Sequence, residues 1–190
     1  MKPLKIESAP GLSEKLLASH HANNYGGAVR RLGLIQSELA ALDPRSAPGF
    51  LLNGLKREEI IALNSVVLHE IYFEAFAGDS EPDRRLGKQI AADFGSLDSW
   101  RNEFAAMGKA LAGGSGWVLL TWSPRAGRLL NLWAADHTMT AADGAILQAL
   151  DMYEHAYAMD YGANAAGYVD AFLAAMRWSA ASRRLDSVSG

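Results

Sequence analysis

Apolar residues recur at helical spacing from about Ser13 onward. Leu16, Leu17, His20, Tyr25, Val29 and Leu32 mark one face of a first helix. Gly26 and Gly27 lie inside that helix, where each weakens it by roughly 1 kcal/mol relative to alanine. Residues 1–10 read as an extended arm, and residues 42–53, with Pro44, Pro48 and Gly49, as a loop. A second helix is predicted from about Lys56 to Ala75. Its apolar set is Ile60, Leu63, Val66, Val67 and Ile71, with Phe73 near its end. The two helices are expected to pair as an antiparallel hairpin. The run Gly78-Asp79-Ser80-Glu81-Pro82 breaks the pattern and divides the chain into 1–78 and 79–190. Helices are then predicted near 84–94 and 97–112, the second capped by Ser96. Gly113-Gly114-Ser115-Gly116 ends the helical region. Trp117 to Trp122, Leu129 to Ala135 and residues 145–151 read as three strands, the first two joined by a turn at Ser123-Pro124-Arg125-Ala126-Gly127. A last helix is expected over 164–179, with Tyr168, Phe172, Leu173, Met176 and Trp178, and the polar tail from Ser182 is expected to fray.

Composition narrows the function. At 190 residues the chain can bury a substantial core. It has no cysteine, which excludes disulfides, thiolate metal sites and iron–sulfur clusters and is compatible with a cytoplasmic location. The net charge of -3 argues against binding nucleic acid through charge. No apolar run approaches the length of a membrane span, and the first residues lack the apolar core of a signal peptide.

The candidate chemistry lies near the C-terminus, in Asp151-Met152-Tyr153-Glu154-His155-Ala156-Tyr157 followed by Asp160-Tyr161-Gly162. A carboxylate and an imidazole four residues apart can meet one ion. With one histidine from each of the two early helices they would make a three-histidine, one-carboxylate site. That donor set suits a redox-active transition metal better than calcium or magnesium, which prefer oxygen ligands.

These segments resemble the iron/manganese superoxide dismutase family. The family's Asp-x-Trp-Glu-His-Ala-Tyr motif is matched by residues 151–157, with Tyr153 in place of tryptophan. Its first helical histidine corresponds to His20, and its His-x-x-(Phe/Tyr)-Trp segment is similar to His69-Glu70-Ile71-Tyr72-Phe73. Phe94-Gly95-Ser96, Gly114-Ser115-Gly116-Trp117 and Asp160-Tyr161 extend the likeness over almost the whole chain. The resemblance implies an α+β fold: an N-terminal antiparallel helical hairpin and a C-terminal α/β domain with a three-stranded antiparallel sheet. It implies one iron or manganese ion per chain, held by His20, His69, Asp151 and His155, and dismutation of the superoxide anion to dioxygen and peroxide. The Asp136-His137 pair stands where some iron enzymes of the family carry the same pair. This tilts the expectation toward iron and gives His137 the task of tuning the metal's solvent, against a plain loop histidine. Trp117 and Phe73 are expected to wall the pocket or simply to pack in the core. The resemblance also implies self-association, as a homodimer or tetramer, with Glu154 reaching the other subunit's His155, against a plain exposed carboxylate.

The chain departs from the family at its gateway. A second histidine usually follows the first ligand by four residues and a tyrosine by eight, guarding the channel and helping to deliver protons. Here those positions are Asn24 and Ala28, and a later tyrosine position is Ala158. Tyr25 is either a core residue or the source of a replacement hydroxyl. His21, next to His20, is expected on the surface because an α-helix turns it about 100° away. Arg30 and Arg31 are surface residues or steer the anion. The departures keep two other functions open: a metal oxidoreductase acting on another small oxidant, and a metal-binding structural protein with little turnover.

Overall fold

The computed structural model describes residues 1–4, 6 and 9–189; of the predicted N-terminal arm, Lys5, Glu7 and Ser8 lie outside the described residues. Helix α1 (Glu14–Ser19) begins where the Ser13 hydroxyl accepts from the Leu16 amide. It runs into a π-helical segment, His20–Tyr25, and continues as α2 (Gly26–Ala41). The loop that follows is shorter than predicted. Helix α3 (Gly49–Glu74) starts at Gly49, just after Pro48, whose fixed φ suits a helix entrance. Helices α2 and α3 pack together as the expected hairpin.

The apolar set assigned to α3 needs correction. Ile60, Leu63 and Val67 are exposed, and the buried face is Ala62, Leu68, His69, Ile71, Tyr72 and Phe73. The C-terminal half of α3 lies between the π segment and the sheet, so burial there follows what surrounds the helix.

Helices α4 (Arg84–Phe94) and α5 (Leu97–Ala110) are capped by Asp83 and Ser96. Strands β1 (Trp117–Ser123), β2 (Arg128–Ala134) and β3 (Ala145–Asp151) form one antiparallel sheet in the order β2-β1-β3. The register sets Trp117, first in β1, opposite both Ala134 and Asp151, so the site residues gather at one end of the central strand. Gly116 permits this close entry. Its φ is 142°, and a Cβ there would lie 2.2 Å from the Ala134 carbonyl oxygen.

A 3-10 turn (Glu154–Ala156), α6 (Ala158–Tyr161) and α7 (Ala165–Ala175) follow β3. The predicted last helix stops at Ala175, and the tail from Ser182 does not fray. Residues Ser179–Val188 form helix α8 against α4 and β3, burying Ser182 and Leu185. Its register is fixed by Arg184, which donates to the Leu147 carbonyl (3.0 Å) and pairs with Glu74. Tertiary contacts thus supply the order that the local polarity withheld. Among the described residues no helix is long and apolar enough to cross a membrane.

Candidate metal centre

Four side chains converge between α3, the π segment and the end of the sheet. His20, His69, Asp151 and His155 each turn one ligand atom inward, and these atoms all lie within 4.8 Å of one another. Asp151 Oδ2 is 3.2 Å from His20 Nε2, 3.2 Å from His155 Nε2 and 3.7 Å from His69 Nε2. Donors about 2.1 Å from a shared ion would stand about 3–4 Å apart, so the spacing fits one ion.

The donor atoms also fit by what they lack. His20 and His69 are buried, yet both ring nitrogens of His20 and Nε2 of His69 have no hydrogen-bond partner. Buried polar atoms are normally satisfied, and leaving one unpaired costs about 1–3 kcal/mol. A cation at the centre of the cluster would satisfy Nε2 of both rings. His69 is set up for this by its own helix. Its Nδ1–H donates to the Ser65 carbonyl one turn earlier (2.6 Å), which leaves the Nε2 lone pair facing the cluster.

Asp151, last in β3, is wholly buried and held from three sides. Its Oδ1 accepts from the Tyr153 amide (2.8 Å), its Oδ2 meets His155, and its carbonyl accepts from the Tyr168 hydroxyl (2.8 Å). Burial pushes its pKa up, but the hydrogen bond with His155 and the electrostatic pull of the His155 and His20 rings outweigh it and hold the carboxyl well below its usual range. Burial lowers the pKa of His20, and that of His69 to about 4, so both imidazoles are neutral at neutral pH. Neutral imidazoles and an ionised carboxylate are the protonation states that metal ligation requires.

Around the ligands stands an aromatic shell. Trp117 meets His69 edge-on at 5.4 Å and His137 at 5.7 Å. Phe73 lies 5.1 Å from His20. His137 is half-buried, its ring 6.4 Å from that of His69 and outside the four-ligand cluster. Burial lowers its pKa as well. Glu154 is exposed beside His155, whose side chain is 28% exposed. Tyr25 is buried, and its hydroxyl donates to Glu70 (2.8 Å) and accepts from the Lys2 amide (2.9 Å). Any proton delivery from Tyr25 would have to run through those two partners. Asn24 is half-buried and Ala28 buried. Arg31 is engaged in an ion pair with Glu58.

One expectation fails here. His21 is buried, and its Nε2–H donates to the Lys2 carbonyl (3.0 Å). The cause is the π segment, where the Gly26 amide reaches back five residues to the His21 carbonyl. The wider turn separates neighbours by less than 100°, so His20 and His21 both face Phe73, at 5.1 and 5.2 Å. Sequence reasoning also passed over Ser65, Tyr153 and Tyr168. The signal for Ser65 was its place four residues before His69. For Tyr153 it was the hydroxyl gained where the motif has tryptophan.

The shifted histidines give the metal-free protein a pH dependence of known sign. Unfolded, His69 titrates near 6.5; folded, near 4. Between those values the unfolded chain binds a proton that the folded chain refuses, so stability falls as pH falls. His20 acts in the same sense, whereas the lowered Asp151 matters only below its ordinary value of 3.8. Urea unfolding of metal-free protein should lose about 2–3 kcal/mol for His69 between pH 7.5 and 4.5. The variant His69→Gln should lose less by that amount, and equal losses in both proteins would contradict the assignment.

Comparison with known proteins agrees with this geometry. Residues 82–184 match the family described as iron/manganese superoxide dismutases, C-terminal domain. An iron superoxide dismutase of Cupriavidus metallidurans is 59% identical over 97% of this chain and 94% of its own length. An iron enzyme of Aquifex aeolicus is 34% identical (96% and 88% covered), and a manganese enzyme of Halobacterium salinarum 32% (95% and 90%). Matches of that extent reach the two N-terminal histidines as well as the C-terminal pair, and the chain belongs to the iron/manganese superoxide dismutase family.

Proposed function

We propose that this chain disproportionates superoxide to dioxygen and hydrogen peroxide, using one iron or manganese ion per chain held by His20, His69, Asp151 and His155. The observation that carries the reading is the convergence of three imidazoles, those of His20 and His69 buried, on one buried carboxylate, with Nε2 of His20 and of His69 left without a hydrogen-bond partner. The bound metal supplies the reversible one-electron change that the reaction needs. Two superoxide anions and two protons give one dioxygen and one peroxide. The chain's own residues must therefore hold the donors still, admit a small anion and manage two protons.

Each task has a candidate. Ser65 fixes the His69 ring, and Tyr168 with the Tyr153 amide fixes Asp151, so the donors need no rearrangement to bind. Trp117 and Phe73 keep the surroundings apolar, which strengthens electrostatic interactions inside. His137 is the half-buried imidazole beside the ligands and the residue we assign to the solvent and proton side of the site. Iron is our preferred metal, supported by the histidine at position 137 and by the iron relative at 59% identity. Affinity order alone does not set the metal in the cell. A cytoplasmic location belongs to the same reading, supported by the cysteine-free composition.

We further propose a homodimer. Glu154 precedes a ligand and is exposed, while Nε2 of its neighbour His155 faces Asp151. The outer edge of the His155 ring is thus open to a second copy's Glu154 across a two-fold axis, where the contact occurs twice.

Purified protein should contain iron or manganese near one ion per chain and dismute superoxide. Asp151→Ala should lower metal content about tenfold or more while circular dichroism still reports a helical fold. Full metal and activity in that variant would sink the site. For assembly, sedimentation at micromolar concentration should give a dimer for the parent and a weaker dimer for Glu154→Ala. A monomeric parent with full metal and activity would refute the role given to Glu154.

A further inference from the structure

The family position that carries a hydroxyl above the metal, eight residues after the first ligand, is Ala28 in this chain. A tyrosine hydroxyl nevertheless stands beside the candidate ligands, and it comes from the segment that follows β3. Tyr153 Oη lies 3.2 Å from His137 Nδ1, and both side chains are half-buried. We propose that Tyr153 is a positioning residue that fixes the His137 imidazole beside the metal ligands, replacing from the sheet side the hydroxyl that Ala28 cannot supply.

Tyr153 is anchored well enough for this. Its backbone amide donates to Asp151 Oδ1, and its ring stacks on His155 at 5.6 Å and 18°. The same ring lies 5.1 Å from that of His137 and 6.2 Å from that of Trp117. A tyrosine has two χ angles to fix, and these contacts constrain both, so the hydroxyl is aimed by packing. His137 is held at its other end, where its carbonyl accepts from Asn64 Nδ2 (2.6 Å). Backbone and ring are each tied once, which defines where the imidazole can sit.

Two other tyrosines near the ligands are committed elsewhere. Tyr25 bonds Glu70 and Lys2, and Tyr168 donates to the Asp151 carbonyl with the Tyr72 hydroxyl 3.4 Å away. A hydroxyl that donates to Nδ1 fixes the imidazole tautomer with its proton on Nε2. His137 then presents a donor of one sense, held in one orientation. Tryptophan, the family's residue at position 153, carries an N–H donor in place of this hydroxyl. The tyrosine therefore replaces an indole N–H with a hydroxyl that reaches His137 Nδ1.

This inference rests on the dismutase reading, whose own failure would appear as an inactive or metal-free parent. The test uses iron-loaded parent, Tyr153→Phe, His137→Ala and the double variant. The readouts are metal content, the midpoint potential and the dissociation constant of azide followed by visible absorption. Tyr153→Phe keeps the ring and removes the hydroxyl. It should retain metal and change azide affinity about three- to tenfold, the worth of one hydrogen bond, with a shift in potential. In the His137→Ala background the same substitution should change neither, because Tyr153 acts through His137. Three results would overturn the proposal: Tyr153→Phe matching the parent, an equal effect in both backgrounds, or loss of metal from Tyr153→Phe.

Discussion

The structure depends on burying one negative charge. The Asp151 carboxylate is fully enclosed, and a charge taken from water costs several kcal/mol even after relaxation. Sheet and helices are arranged to offset that cost. Strand β3 ends on Asp151, and β1 sets Trp117 opposite it. The 3-10 turn returns His155 to the carboxylate, and α7 brings the Tyr168 hydroxyl to its carbonyl. The N-terminal hairpin adds the two other imidazoles. The neutral His20 and His69 rings cannot neutralise the charge, and a cation shared by all four groups would complete the balance.

The hairpin contributes through an irregularity. A regular helix through His20–Tyr25 would turn His20 and His21 to different environments. The π segment lets both lie under Phe73 and frees His20 to meet Asp151 without a hydrogen bond of its own. A π turn inside an otherwise α-helical run often marks a functional position, and here it coincides with the candidate ligand His20. Gly26 and Gly27 follow it directly, and their low helix propensity opposes less strongly a change in winding.

The three strands, the Ser96 cap and the Asp151–His155 pair were legible in the chain, since apolar runs bounded by turns, capping residues and a four-residue spacing are local signals; His20 and His69 could be singled out only through the resemblance to the family. The buried state of His21 was not, because it follows from a winding change that no local pattern encodes. Helix α8 reads as polar, and its order comes from Ser182, Arg184 and Leu185 meeting α4 and β3. On α3 the apolar pattern pointed to Ile60, Leu63 and Val67, yet burial was decided by which part of the helix lies against the sheet. Tyr153 was visible as a substitution within the motif. Its partner His137 stands 16 residues earlier, so the contact needed the fold.

The central claim is that His20, His69, Asp151 and His155 form one preorganised metal site. Anomalous diffraction from crystals of iron-loaded protein, measured on both sides of the iron absorption edge, tests it most directly. The account predicts a single strong peak per chain, within bonding distance of His20 Nε2, His69 Nε2, His155 Nε2 and Asp151 Oδ2. No peak at that point, or a principal peak bound by other residues, would contradict it.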